Sequence, residues 1–289
     1  MPHNEQYAKL KEKFEQVFSI DKNKNIELKS HFKIPPFKLV FVEGGKFDIS
    51  RASEDNTKKK EIELSSFYIA EFLLTQEIYE AVIGKNPSRF KGKKKPVDQV
   101  SWIEAMEFCN KLNTKIGFSE ICDNNYNLLD SNGKKTNNIE NVAGFRLPTE
   151  AEWGYVALGG KNQSKKEFFK YAGSNNIEDV GWYDGNSNME TKPVGMKFPN
   201  RLGIYDLSGN VWEWCLDLHD KDFLEKTQTK NPANLRNGSG RVLRGGSWFN
   251  YADDCRMAYR FNFMPDFRFY NFGLRLLFAL QFTSQEKDK

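Results

Sequence analysis

From residue 161 to residue 240 the sequence never holds an apolar period long enough for a substantial helix or strand. Gly, Asn, Asp, Ser and Pro interrupt it throughout. A stretch of that kind inside one domain restricts the fold to architectures whose loops are themselves packed structure. The regular elements must then lie in the flanks. PVDQVSWIEAMEFCNKLN carries Ser101 as N-cap and Glu104 three positions on, a capping box, with Ala105, Phe108, Cys109 and Leu112 as its buried stripe. RLPTEAEWGYVALGG repeats the device with Thr149 and Glu152 and stops at Gly159-Gly160. Thr75 is placed to cap a further helix through TQEIYEAVIG. Residues 5–19, with Tyr7, Leu10, Phe14, Val17 and Phe18 on one side, read as an amphipathic helix, and DKNKN after it as a polar linker. KLVFVEGGKFDIS alternates around Gly-Gly as a hairpin or bulged strand, SSFYIAEFLLT reads as a strand, and 123–144 as a loop or hairpin turning at Asn132-Gly133. The expected organisation is a helix and linker over 1–35, one domain over 36–280 and a tail over 281–289.

Composition narrows the function classes. With 39% hydrophobic and 28% charged residues and a net charge of +4, the chain is expected to be globular, with no transmembrane segment and no nucleic-acid partner. The basic runs at 58–60 and 91–95 are read as solvated loops. Four cysteines without a CxxC and three scattered histidines make a zinc site an unfavoured expectation, with His219 near Asp217 and Asp220 read as a solvated loop residue. No phosphate-binding glycine loop, nucleophile elbow or HExxH is present.

One segment stands apart. FNYADDCRMAYRFNFMPDFRFYNF, residues 249–272, has Phe or Tyr at nine of 24 positions and Asn or Asp at six more, and it settles into no apolar period. Large rigid rings mixed with short polar groups are the composition of a recognition surface. The expected ligand-binding residues are Phe249, Asn250, Tyr251, Asp253, Asp254, Tyr259, Phe261, Asn262, Phe263, Asp266, Phe267, Phe269, Tyr270 and Asn271. Tyr259 and Phe272 are the rings most expected to serve the core. Replacing Phe261, Phe263 and Phe267 together with Ser is expected to leave the fold intact.

FVEGGKFDIS, PVDQVSWIEAMEFCNKLN, FRLPTEAEWGYVALGG, NRLGIYDLSGNVWEWCLD, RVLRGGSW and NFGLRL follow one another in an order that resembles the formylglycine-generating, sulfatase-modifying enzyme family. The resemblance spans about residues 37–280 and implies a C-type lectin fold of that type: α+β, with small antiparallel sheets, two main helices and much irregular loop. The enzymes oxidise a substrate cysteine through a pair of copper-binding cysteines, as soft Cu(I) requires. Aligned without gaps on Gly273-Leu274-Arg275, that pair falls at Asp253 and Met257, and Cys255 between them is read as a buried filler. The expectation is therefore a non-enzymatic protein needing no cofactor. The alternative is an oxidase or other metal-dependent enzyme of the same fold. The resemblance also implies a possible structural calcium at Asp206, Gly209, Val211 and Glu213, weighed against those carboxylates simply holding a tight turn.

Within 249–272, family-type Ala252, Arg256, Ala258, Arg260, Pro265 and Arg268 alternate with Phe, Tyr, Asn and Asp. Those four share codons ending in C, one or two changes from AAC. This pattern resembles the variable proteins of diversity-generating retroelements, whose adenine-mutated segment lies at this place in the same fold. The resemblance implies a variable binding protein for an unknown protein or surface ligand; the sequence does not fix the oligomeric state, and a monomer is the favoured expectation. Its expected location is the cell surface, as a lipoprotein whose signal is absent from this chain, the alternative being cytoplasmic.

Overall fold

The computed structural model describes residues 11–52, 59–162, 169–223 and 228–280. Helix α1, over 11–17, turns Phe14 and Val17 inward and gives way at Phe18 to a strand; the part of the expected helix before residue 11 lies outside the described residues. The linker expected after it is instead the turn of a hairpin. Strand β1 (Phe18–Ile20) pairs antiparallel with β2 (Ile26–Leu28). Asp21 closes the turn by accepting from the backbone N–H groups of Asn23 and Asn25 at 2.8 and 2.9 Å. Phe14, Phe18, Ile26, Leu28 and Ile34 belong to the main core, so the boundary expected at residue 35 is corrected: this segment is part of the domain.

The hairpin extends a six-stranded sheet in the order β1-β2-β3-β6-β14-β7, with β3 at Lys38–Val42, β6 at Phe67–Ala70, β7 at Gly144–Arg146 and β14 at Leu277–Ala279. Strands β4 (Gly45–Asp48) and β5 (Glu61–Leu64) form their own pair, so KLVFVEGGKFDIS is neither a hairpin nor one bulged strand. The chain leaves one sheet for another at Gly44, where a Cβ would stand 2.3 Å from the Leu64 carbonyl oxygen. Only a bare backbone passes there.

Helices α2 (Gln76–Ile83), α3 (Trp102–Lys115) and α4 (Glu150–Ala157) begin at the expected N-caps. Both capping boxes form, whereas Thr75 makes no side-chain cap bond. The loop-rich stretch contributes short α5 (Ile177–Val180) and the two-residue strands β8 (Gly181–Trp182) and β9 (Ser208–Gly209), which pair in parallel.

A second sheet, in the order β12-β11-β10-β13, carries the face of interest. Its strands are β10 (Trp212–Leu218), β11 (Arg241–Arg244), β12 (Arg260–Phe263) and β13 (Phe272–Gly273). It is antiparallel except for the short β10–β13 pairing. Trp212 and Trp214 lie on one side of β10, in the main core. The Trp214 indole donates to the Val100 carbonyl and the Trp102 indole to the Cys215 carbonyl, both at 2.9 Å, which pins the start of α3 to the sheet. On the other side Glu213 receives the Arg275 guanidinium through two bonds of 2.9 Å, both residues being fully buried. Arg146 and Glu152 make a second buried two-bond pair at 2.7 Å. Such pairs are costly to break because a lone charge would remain in the interior.

Candidate ligand-binding face

Residues 245–272 leave β11, loop over the end of the sheet and return through β12 to β13. The loop starts at Gly245-Gly246. A Cβ on Gly246, whose φ is 75°, would meet the Cys255 Sγ at 2.5 Å and the Cys255 Cα at 2.8 Å. Cys255 is thus a plug against the glycine, and burial pushes its thiol up to about 12. The next residue, Ser247, is a hub. Its hydroxyl donates to the Asn250 side-chain oxygen and accepts from the Asn271 amide at 2.8 Å. The Trp212 indole also donates to the Asn250 oxygen, at 3.0 Å. The Asn250 carbonyl accepts from the Asp184 N–H at 3.0 Å, and the Ser187 hydroxyl donates to the Trp248 carbonyl at 2.8 Å.

Two arginines fix the returning strand. Arg260 donates from Nε and Nη2 to the two oxygens of Glu150 at 2.6 and 2.7 Å. Arg244 donates to the carbonyls of Met257 and Tyr259 at 2.7 and 3.0 Å, shaping the backbone before β12. Burial works to raise the Glu150 carboxyl, but the positive charges of Arg260 and Arg244 outweigh it and hold it below its ordinary value. Further along, the Pro265 and Phe269 carbonyls accept from the N–H groups of Ile103 and Gln99 at 3.1 and 3.0 Å. The segment is therefore a rigid support.

On that support the rings form a continuous arc. Phe249 meets Tyr270 at 5.7 Å between centroids, Tyr270 meets Phe269 at 4.1 Å and Phe269 meets Phe267 at 6.0 Å. The arc continues from Phe267 to Phe263 at 4.3 Å, to Phe261 at 6.1 Å, and from there to Trp212 at 5.4 Å. Edge, tilted and offset-stacked contacts of this kind hold rings in fixed orientations. Its outer members are Phe249 and Phe267, 44% and 39% exposed, and Tyr251, 76% exposed, stands apart from the arc. Tyr259, Phe261, Phe263 and Phe269 are half-buried against the main core.

This sorts the fourteen expected binding residues. Phe249, Tyr251, Asp253, Asp266 and Phe267 are exposed. Asn250, Asp254, Tyr259, Phe261, Asn262, Phe263, Phe269 and Tyr270 are half-buried. Asn271 is corrected: it is 4% exposed and serves Ser247 from below. Asn250, committed through both ends of its amide to Ser247, Trp212 and Asp254, is likewise part of the support. The expectation that Phe261, Phe263 and Phe267 are jointly dispensable is also corrected, because Phe261 and Phe263 pack on Trp212 and Phe272.

Sequence reasoning missed two members of the face. Met264, 60% exposed beside β12, falls outside the Phe, Tyr, Asn and Asp alphabet. Arg89 comes from a loop 160 positions before the segment starts, yet its guanidinium lies 5.1 Å from the Tyr270 ring centre and 5.4 Å from that of Phe90. Nothing local in the sequence signals that meeting.

The positions aligned with catalytic cysteines hold an exposed Asp253, paired with Lys170 at 2.8 Å, and a buried Met257. All four cysteines are free and buried. Asp206, Gly209, Val211 and Glu213 do not fit a calcium ion. Glu213 gives both oxygens to Arg275, and Asp206 accepts from the Gly195 N–H at 2.8 Å and from the Asn210 amide at 3.3 Å. Calcium needs several uncommitted oxygens around one point. Asp217 accepts from the Glu150 and Asn234 N–H groups at 2.8 Å each, and among the described residues no cluster of His, Cys, Asp and Glu is arranged to hold a metal.

Comparison with known proteins gives four consistent findings. The sulfatase-modifying factor enzyme 1-like domain family matches residues 27–280. Chaperone protein LppX of Paenibacillus barcinonensis is 36% identical over 246 residues, covering 76% of this chain and 82% of that protein. The formylglycine-generating enzyme of Streptomyces coelicolor is 33% identical over 159 residues, about half of each chain, with 49% covered in both. Among solved structures, Treponema denticola variable protein 1 superimposes with a TM-score of 0.76 at 32% identity, covering 89% of this chain and 99% of that one.

Proposed function

Because the chain belongs to the sulfatase-modifying factor enzyme 1-like domain family, yet is built like a treponemal variable protein, we propose that it is a non-enzymatic binding protein with residues 249–272 as its variable ligand-binding face. The observation that carries this reading is the division of labour inside the segment. Gly246, Ser247, Cys255 and Arg260 are locked into the fold, while Tyr251, Phe249, Phe267 and the acidic residues beside them stand outward. Exposed rigid rings give contact area at small entropic cost, and Asn or Asp adds hydrogen bonds that tolerate different partners. A face of this kind takes a protein or another surface ligand, with the domain acting as a monomer at the cell surface, anchored as a lipoprotein. No helix among the described residues is long and apolar enough to cross a membrane.

The competing reading, a copper oxidase of the same family, requires two adjacent thiolates. Asp253 and Met257 supply none, and the Cys255 thiol is buried against backbone. The test has two arms. Replacing Phe249, Tyr251 and Phe267 with Ser is expected to abolish peptide binding selected on the native protein while the protein stays folded, its unfolding temperature falling by no more than about 8 °C. Formation of formylglycine in a sulfatase-type cysteine peptide, with Cu(I) supplied, would overturn the proposal in favour of the oxidase.

A further inference from the structure

The basic run at 91–95, read in the sequence as a solvated loop, lies beside the variable face. Phe90 packs edge-on to Trp248 at 5.2 Å, directly beneath Phe249 and Tyr270. The loop that carries it is tightly held. The Gln76 amide donates to the Phe90 carbonyl at 2.8 Å, buried Asp98 accepts from the Arg89 N–H at 2.7 Å, and the Ser88 hydroxyl accepts from the Asp98 N–H at 3.0 Å. Arg89 is exposed, its guanidinium carbon lies over the rings of Phe90 and Tyr270 at 5.4 and 5.1 Å from their centres, and it has no carboxylate partner among the described residues. Lys91 donates only to the Asn86 carbonyl, at 2.8 Å, and exposed Lys93 also lacks an ion pair among the described residues. The neighbouring cations differ: Lys94 is paired with Glu77, and Lys95 and Lys192 with Glu190.

Resting on the binding-face reading above, we infer that Arg89, with exposed Lys91 and Lys93 following it in the chain, is a fixed anchor for a carboxylate, so that the face takes acidic protein segments whose apolar neighbour lies on the ring arc. A guanidinium held over ring faces does not spend its N–H groups on carbonyls or carboxylates, and its fork matches a carboxylate through two parallel bonds. The ring contacts hold it in place before the ligand arrives, which reduces the entropy lost on binding. Arg89 and Phe90 both lie outside 249–272, so this contact stays in place when Tyr270 and the other rings change. Lys91 and Lys93 add longer-range attraction that steers an acidic partner in.

A random peptide library displayed on phage and selected on the full chain tests this. The expected pool is enriched in Asp or Glu next to an aromatic or aliphatic residue, and that enrichment disappears when the selection is repeated on Arg89→Gln. For a selected peptide, changing its acidic residue to the amide should weaken binding to the native protein about tenfold, as for a charged hydrogen-bonded pair, and should have almost no effect on Arg89→Gln. Lys91→Gln with Lys93→Gln should flatten the dependence of association rate on salt. A pool that requires Phe249, Tyr251 and Phe267 but shows no acidic enrichment overturns the anchor and leaves the binding face standing. Failure to obtain any ring-dependent pool overturns both. Tighter, Arg89-dependent capture of phosphatidylglycerol vesicles or of a single-stranded oligonucleotide than of the acidic peptide also overturns it, in favour of a phosphate ligand.

Discussion

The rings of the variable face should differ in what they contribute to stability, and the structure orders them. Consider single replacements by Ser at Tyr251, Phe267, Phe261 and Phe272. Removing a fully buried Phe costs about 3–5 kcal/mol. Phe272, 3% exposed and in contact with Trp214, Phe261 and Phe263, should reach that range. Phe261 is half-buried, with Trp212 at 5.4 Å, and scaling by burial gives about 2 kcal/mol. Phe267 is 39% exposed with one close neighbour, Phe263, and should cost about 1 kcal/mol. Tyr251 stands free at 76% exposure and should stay within about 0.5 kcal/mol. With a shift of roughly 2–4 °C per kcal/mol for a domain approaching this size, the melting temperatures should fall by under about 2 °C, about 3 °C, about 6 °C and more than about 9 °C in that order. Calorimetry on the four variants reads this directly. A Tyr251 variant as damaged as the Phe272 variant would refute the placement of the loop. A Phe261 variant with native stability would refute the packing of β12.

Other outcomes follow from the support beneath the rings. Glu213→Gln should cost about 3–5 kcal/mol in urea unfolding by leaving Arg275 buried without its counter-charge, and pairing it with Arg275→Met should recover part of the loss. Adding calcium or a chelator should shift neither curve, and a calcium-dependent shift would restore the metal reading. Burial pushes Asp217 from 3.8 up to about 7, so the folded state holds its proton more tightly than the unfolded chain. Its contribution to stability is therefore full below about pH 4 and lost as pH rises to about 7. His219, lowered from 6.5 by burial and by Arg260, acts in the opposite sense below that value. The slope should accordingly be read as the difference between native protein and Asp217→Asn, and a difference that does not change between pH 4 and 7 would refute it. A soluble disulfide reagent at pH 8 should label none of the four buried thiols in the native protein and all four after denaturation; rapid labelling of one native thiol would reopen the enzymatic reading.

The parts of the fold legible in the sequence are those that local chemistry writes. Ser101 with Glu104 and Thr149 with Glu152 announce helix starts because a cap satisfies donors within one turn. The alternation at Trp212, Glu213 and Trp214 likewise assigns two rings to one side and a charge to the other. The β1–β2 hairpin was hidden because each strand has three residues, too few to show a period, and its turn is made by one aspartate bonding forward. The sheet change at Gly44 depends on the Leu64 carbonyl twenty residues away. At the binding face the residue alphabet gave away the segment but not the direction of each side chain. Asn271 and Asn250 look like Asn262 in sequence, and only the position of Ser247 makes them structural. Arg89 was invisible for the same reason, since its partner Tyr270 is distant in the chain.

The central claim is that one segment varies on a constant frame, and sequencing this gene in sibling isolates tests it most directly. The account predicts changes concentrated at Phe249, Tyr251, Asp253, Asp254, Phe261, Asn262, Phe263, Asp266, Phe267, Phe269 and Tyr270. It predicts constancy at Arg89, Arg244, Gly246, Ser247, Cys255, Arg260 and Arg275, with Asn250 and Asn271 retained for their amide bonds. Substitutions spread evenly along the chain, or a segment 249–272 as constant as the core, would contradict it.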